Sequence, residues 1–293
     1  MTNSDSTASG SVSFTLRNPQ ASELPLVVDS PHSWGLWPEE VFSIAPNAAL
    51  ATSWDAYVDE LWGFALSTKA PLLSAKFHRS FIDANRARDD IDPEMLESAW
   101  PYPIQPTEKS DRGFGLIRRY ALPGVPVYDR LLSVEEVQSR IQKFYDPYHR
   151  QLKELIDKMY SQWSMSLHLN CHSMKSVGNA MNDDNGRVRP DIVVSDLDGV
   201  TSSQLWTNTV ADLLRNQGYS VSVNDPYKGA ELIKRYSQPN RNRHSVQIEI
   251  NRALYMNERT FEKSMDFDLL SRNLRNFVMD LAVALKSNGC LTV

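Results

Sequence analysis

The chain has few cysteines. Cys171 and Cys290 are the only two in 293 residues. Neither belongs to a CxxC pair, which excludes a thiolate metal knuckle and a dithiol redox motif. Cys171 lies inside an apolar run, and two free thiols in a cytosolic protein explain the pair better than a disulfide. Long apolar runs are also missing, and none approaches the ~20 residues needed to span a bilayer. Residues 1–20 are polar, with no apolar stretch at the start, and read as a disordered tail rather than a signal peptide. A single domain is expected over 21–293. Basic residues are scattered and the net charge is −5, which argues against a nucleic-acid surface. There is no glycine-rich phosphate loop. There is no GxSxG elbow for a serine hydrolase, and no HExxH or HxxH metal motif.

The informative segments are two strands. Ser245 to Asn251 alternates strictly, with Val246, Ile248 and Ile250 on one face and Gln247, Glu249 and Asn251 on the other. Leu167 to His172 repeats the pattern, with His168, Asn170 and His172 on its polar face. This is the two-residue period of a strand with one buried face. A mid-strand acid is costly unless its face meets water, a partner or a metal. The two strands therefore offer a histidine and a glutamate to a polar cleft, as a metal-dependent hydrolase requires.

Other elements follow from patterning. Leu24 to Asp29 is a buried strand stopped at Pro31, with His32 just past its end. Ser53 is placed as the cap of a helix reaching Thr68, and Asp55 falls in its first turn. Ala70 to Ala75 is a further strand. The span from Asp89 to Asp129 is irregular and rich in proline, as functional loops are. Ser133 caps a long helix that Pro147 should kink or split. Gly178 to Pro190 is polar and has the composition of a lid. Strands are expected at Asp191–Ser195 and Tyr219–Val223, and helices at Ser202–Gln217 and Asp266–Lys286. Alternating strands and helices give an α/β class, with a mixed, largely parallel twisted sheet flanked by helices.

His32, Asp55 and His172, with Glu249 on another strand, match a catalytic zinc site of three protein ligands and one open position. Each residue alone has an ordinary structural explanation. Asp59 lies one helical turn after Asp55 and competes for the acidic place. Arg79, Asn85 and Arg86 suit recognition of a carboxylate, or else form a solvated charged turn.

In order, the strings Ser30-Pro31-His32-Ser33, Asp55 to Leu61, Arg79-Ser80-Phe81-Ile82-Asp83-Ala84-Asn85-Arg86, His172-Ser173-Met174, Asn224 to Gly229, Gln247-Ile248-Glu249-Ile250 and Arg252 to Met256 resemble the N-formylglutamate amidohydrolase family. The resemblance covers roughly residues 22–285. It implies a fold akin to zinc carboxypeptidases and one Zn2+ ion on His32, Asp55 and His172. It also implies Glu249 as general acid/base and Asn85-Arg86 on a substrate carboxylate. Arg79 joins them, with Arg118 and Arg235 as further candidates. The expected activity is hydrolysis of N-formyl-L-glutamate, a small anionic N-acyl amino acid, to formate and glutamate. Two rivals remain: a hydrolase of another N-acyl amino acid or short peptide with a free carboxylate, and a non-catalytic small-molecule binder of the same fold.

Overall fold

The computed structural model describes residues 13–21, 23–67, 69–178 and 184–289. The strands are β1 (Phe14–Arg17), β2 (Leu26–Ser30), β3 (Leu72–Ala75), β4 (Tyr120–Leu122), β5 (Val125–Pro126), β6 (Ser166–Met174), β7 (Ile192–Ser195), β8 (Val221–Val223) and β9 (Arg243–Asn251). The helices are α1 (Asn47–Ala51), α2 (Val58–Leu66), α3 (Glu108–Asp111), α4 (Val134–Arg140), α5 (Asp146–Trp163), α6 (Gln204–Asn216), α7 (Glu231–Tyr236) and α8 (Phe267–Gly289). Seven strands form one sheet in the order β1-β3-β2-β6-β9-β7-β8, and β4 and β5 form a separate hairpin. The central strands β3, β2, β6 and β9 run parallel, whereas β1 and β7 pair antiparallel to their neighbours β3 and β9. The mixed, largely parallel sheet expected from the sequence is therefore present.

Strand alternation assigns the two faces. Leu26, Val28, Leu167, Leu169, Cys171, Val246, Ile248 and Ile250 face α2, α6 and α8 in one core. Val27 and Leu73 join Tyr148, Leu152, Leu155 and Met159 of α5 in a second core on the opposite face. That second face also carries the polar residues of β6 and β9. Burial of a polar line there is tolerated because its members bond one another.

Several boundaries depart from expectation. Phe14–Arg17 pairs with β3 along Phe14–Ala75 to Arg17–Leu72, so the proposed tail is ordered from Ser13 onward. Phe14 is buried and supplies the apolar contact that a serine-rich composition obscured. Residues 1–12 lie outside the described set, as does Cys290. Ser53 does not cap α2. Its hydroxyl donates to the Leu50 carbonyl instead, and α2 starts only after Tyr57, which has φ 64°. Ser133 does cap α4 by accepting from the Glu136 amide at 3.1 Å. The regular α-helix is interrupted just before Pro147, between α4 and α5. A π-helical segment, Ile141–Tyr145, separates the two, and its wider turn lies where Pro147 lacks an N–H to donate backward. Gly218 closes α6 at φ 94°. Of the proposed lid, residues 179–183 lie outside the described set. Its flanks pair through Val177 and Val188, and Gly178 donates to the Arg187 carbonyl at 2.9 Å.

Candidate metal centre and active site

The carboxyl ends of parallel strands are where open α/β sheets hold ligands. Here β2, β6 and β9 end side by side. His172 and Glu249 lie directly across from each other in the β6–β9 register. His32 follows β2 by two residues. Asp55 enters from the segment between α1 and α2, where its amide donates to the His32 carbonyl at 3.1 Å. This contact ties the two ligand-bearing loops together.

His32, Asp55 and His172 are all buried and offer ligand atoms within 4.8 Å of one another. His32 Nδ1 is 3.1 Å from His172 Nδ1 and 3.5 Å from Asp55 Oδ2, which lies 3.1 Å from His172 Nδ1. The opposite ring nitrogens settle where the hydrogens are. His32 Nε2 is 2.7 Å from Asp83 Oδ1, which can only accept. His172 Nε2 is 2.8 Å from Asn170 Oδ1. With one hydrogen per ring, each therefore carries it on Nε2 and turns a bare Nδ1 to the other. Three acceptor atoms facing one point repel unless a cation lies between them. Their separations are close to the ~3.3 Å edge of a tetrahedron with metal–ligand bonds of ~2.0–2.1 Å. The residues fit a metal ion.

Asp55 completes its own bonding with Arg252, whose Nη2 donates to Oδ1 at 2.9 Å. Burial raises the Asp55 carboxyl, but His172, His32 and Arg252 outweigh it and hold it well below the carboxylate range. Asp59 lies outside this cluster. Burial pushes its carboxyl up, and its amide donates to Ser33 Oγ at 3.1 Å. The acid of the cluster is thus Asp55 and not Asp59, although Asp55 precedes the helix rather than sitting in its first turn.

Glu249 is 8 % exposed and accepts from Gln247 Nε2 at 2.9 Å. Burial pushes its carboxyl up to about 7, with Asp55 adding to the rise and His172, Arg79 and Arg252 opposing it. A carboxyl poised there exchanges protons near neutral pH.

The cleft is a cavity of about 250 Å³. Arg79, Arg86, Lys109, Arg112, Arg118, Lys175, Arg189 and Arg252 line it, against two carboxylates, Asp55 and Glu249. A chain of net charge −5 thus concentrates positive charge at one place. Some of these cations have partners. Arg79 forks onto Asp83 Oδ2 at 3.0 and 3.3 Å, and Arg189 pairs with Asp184 at 2.7 Å. Arg86 and Arg118 are less fully bound, and Arg118 Nη2 reaches Asp83 Oδ2 only at 3.9 Å. Their Nε atoms are buried without a hydrogen-bond partner among the described residues. Burial and the adjoining Arg79 and Arg86 push Arg118 down to about 9.

Of the residues proposed from sequence, His32, Asp55, Arg79, Asn85, Arg86, Arg118, His172 and Glu249 meet in this cavity. Asn85 accepts from the Leu232 amide at 2.9 Å and turns its Nδ2 toward His172 at 3.2 Å. Arg235 does not reach the cavity. It lines a separate depression bordered by α5 residues such as Asp146, Arg150 and Lys153, and donates to Tyr145 Oη at 3.2 Å. Its position in the last turn of α7 turns it away. His149 and His168 are also remote: His149 bonds Tyr236 and Ala84, and His168 bonds Asp29. Sequence reasoning gave no role to Asp83, Lys109, Arg189 or Arg252. Asp83 and Arg252 lie within strings already singled out, but their partners are distant in the chain. Tyr227 and Gly229 of the loop after β8 also line the cavity. At Gly229, φ 107° and the Ile233 methyl that an added Cβ would meet make any other residue strained.

The model of the N-formylglutamate amidohydrolase family matches residues 24–256. The chain belongs to that family. It is accordingly an amidohydrolase, an enzyme acting on carbon–nitrogen amide bonds. It is 40 % identical to a crystallised N-formylglutamate amidohydrolase from Ralstonia eutropha JMP134, with a TM-score of 0.89 over 94 % of this chain and 99 % of that one. It is 27 % identical to the N-formylglutamate deformylase of Pseudomonas aeruginosa, covering 80 % of this chain and 83 % of that protein. A 19 % identical protein from Agrobacterium tumefaciens has a TM-score of 0.63 and shares the fold. Among the described residues no helix is long and apolar enough to cross a membrane.

Proposed function

We propose that the chain hydrolyses N-formyl-L-glutamate to formate and L-glutamate, with Zn2+ on His32, Asp55 and His172. The observation that carries this reading is the pairing of that three-acceptor cluster, in one cavity, with Arg86 and Arg118, whose buried Nε atoms lack a hydrogen-bond partner among the described residues. A formyl-glutamate carries two carboxylates and one amide, and the cavity offers cations for the first and acid–base groups for the second. When bound, a divalent ion supplies Lewis-acid polarisation of a carbonyl and lowers the pKa of water.

Glu249 takes the proton of the attacking water and delivers it to the leaving nitrogen. Its carboxyl at about 7 suits both transfers. The C–N bond breaks as the amine gains that proton, leaving formate and free glutamate. Arg86 and Arg118 receive substrate carboxylates, which orients the amide toward Glu249. A substrate lacking the second carboxylate would leave a buried guanidinium unpaired, so it is rejected.

The test is direct. The purified protein is stripped with a chelator, reloaded with Zn2+ and assayed for formate release. The reading expects release from N-formyl-L-glutamate that disappears on stripping and returns on reloading. Equal kcat/KM on N-formyl-L-leucine would overturn the dicarboxylate specificity and leave a broader amidohydrolase. No formate release from any formyl amino acid by the metal-loaded protein would favour the binding-protein rival.

A further inference from the structure

The two histidines of the cluster are supported differently. His32 leans directly on a carboxylate, Asp83, at 2.7 Å. His172 leans on a neutral amide, and the amide leans on a carboxylate. Asn170 Oδ1 lies 2.8 Å from His172 Nε2, and Asn170 Nδ2 donates to Asp29 Oδ1 at 2.8 Å. Asp29 and Asn170 are register partners on β2 and β6, so the sheet itself sets their spacing. Asp29 is fully buried and does not line the cavity. It also accepts from His168 Nε2 at 2.9 Å and from Tyr148 Oη at 2.7 Å.

An isolated asparagine presents either its oxygen or its NH2 to a neighbour. Here Asp29 can only accept, so Asn170 must turn its NH2 to Asp29 and its oxygen to His172. His172 must then carry its hydrogen on Nε2 and aim a bare Nδ1 at His32 and Asp55. The NH2 of Asn85, 3.2 Å from the same Nε2, would favour the opposite tautomer. The closer acceptor prevails.

We infer that Asp29 and Asn170 are positioning residues that fix the tautomer and aim of His172 from within the sheet, through a carboxylate–amide–imidazole relay. This inference rests on the metal reading of the cluster. Outer partners of metal-bound histidines commonly affect affinity by about 10–100-fold. The relay extends that effect one residue further than a direct carboxylate does.

The experiment uses Asn170→Leu, Asn170→Asp, and the exchanged pair Asp29→Asn with Asn170→Asp in the full chain. Zn2+ affinity is measured by chelator competition, and the His172 tautomer by long-range 15N–1H spectra of the metal-free protein. Asn170→Leu should weaken Zn2+ binding by about 10–100-fold and lose the pure Nε2–H signature. Asn170→Asp alone sets two carboxylates in contact and should bind Zn2+ poorly or fold poorly. The exchanged pair keeps one carboxylate and one amide, now with the carboxylate on His172. It should return affinity to within about threefold of native and restore the Nε2–H form. His168 can follow by moving its hydrogen to Nδ1, beside Ser245 Oγ at 3.2 Å. Native affinity and tautomer in Asn170→Leu would overturn the relay. A folded exchanged pair no better than Asn170→Leu would do the same. If the native protein takes up no stoichiometric Zn2+, the metal reading fails by itself, and the spectra of the metal-free variants still decide the relay.

Discussion

His172 and Glu249 sit opposite one another on adjacent parallel strands, at the same rung of the β6–β9 ladder. One side chain belongs to the three-acceptor cluster and the other carries a carboxyl near 7. A rigid sheet thus sets the spacing between these two side chains, and neither depends on a loop for its position.

Glu249→Gln tests this directly. The other face of its strand, Val246, Ile248 and Ile250, is fully buried, so packing survives a near-isosteric change. Gln cannot exchange a proton. Turnover should fall about 10²–10⁴-fold while Zn2+ content stays native on the same sample. Native-like turnover in a fully metallated variant would move the base elsewhere. His149 and His168 are not the place, because both are bonded outside the cavity.

Asp55→Asn and Asp59→Asn separate the two acids. Asp55 faces both histidines and Arg252, whereas Asp59 contributes no ligand atom to the cluster. Chelator competition should show Asp55→Asn losing more affinity than the about 10–100-fold of an outer partner, and Asp59→Asn staying within a few-fold. The reverse order would reassign the ligand.

Arg86→Met should lower kcat/KM for N-formyl-L-glutamate by about 10–100-fold, the weight of a charge-assisted hydrogen bond. It should leave N-formyl-L-leucine nearly unchanged. Arg235→Ala should alter neither, because Arg235 lies outside the cavity. A matched loss on both substrates in Arg86→Met would mean that this arginine does not read the second carboxylate.

The metal-free protein should lose stability as pH falls from 7 to 5. Burial pushes His78 and His149 down to about 3 and His244 down to about 4. Unfolded histidines take up protons near 6.5, so below that the unfolded chain binds more protons and stability drops. Glu249 acts oppositely. Its carboxyl at about 7 protonates in the folded chain first, but it is one group against three. Urea unfolding should show a net loss of about 3 kcal/mol over this interval. Constant stability from pH 7 to 5 would show that these histidines are hydrated or paired when folded.

Much of the site was legible in the chain. The alternation at Leu167–His172 and Ser245–Asn251 put His172 and Glu249 on polar strand faces. That follows from local geometry, since successive side chains of a strand point to opposite sides. The stop at Pro31 placed His32 at a strand end by an equally local rule. His168 shared the polar face of His172 and yet serves Asp29, because alternation assigns a face but not a position along it.

What the sequence by itself determined was the class of the central segments of the sheet, the polar and apolar faces of β6 and β9, and the set of titratable side chains available. Only the tertiary structure decided which of them meet. The parallel pairing of β2, β6 and β9 brought His32, Asp55, His172 and Glu249 together from four distant segments. It put Asp83 behind His32 and Arg252 behind Asp55, and it left Arg235 outside. Strand order, register and the course of long loops are set by the summed packing of two cores on the two faces of the sheet. No short stretch of residues carries that sum.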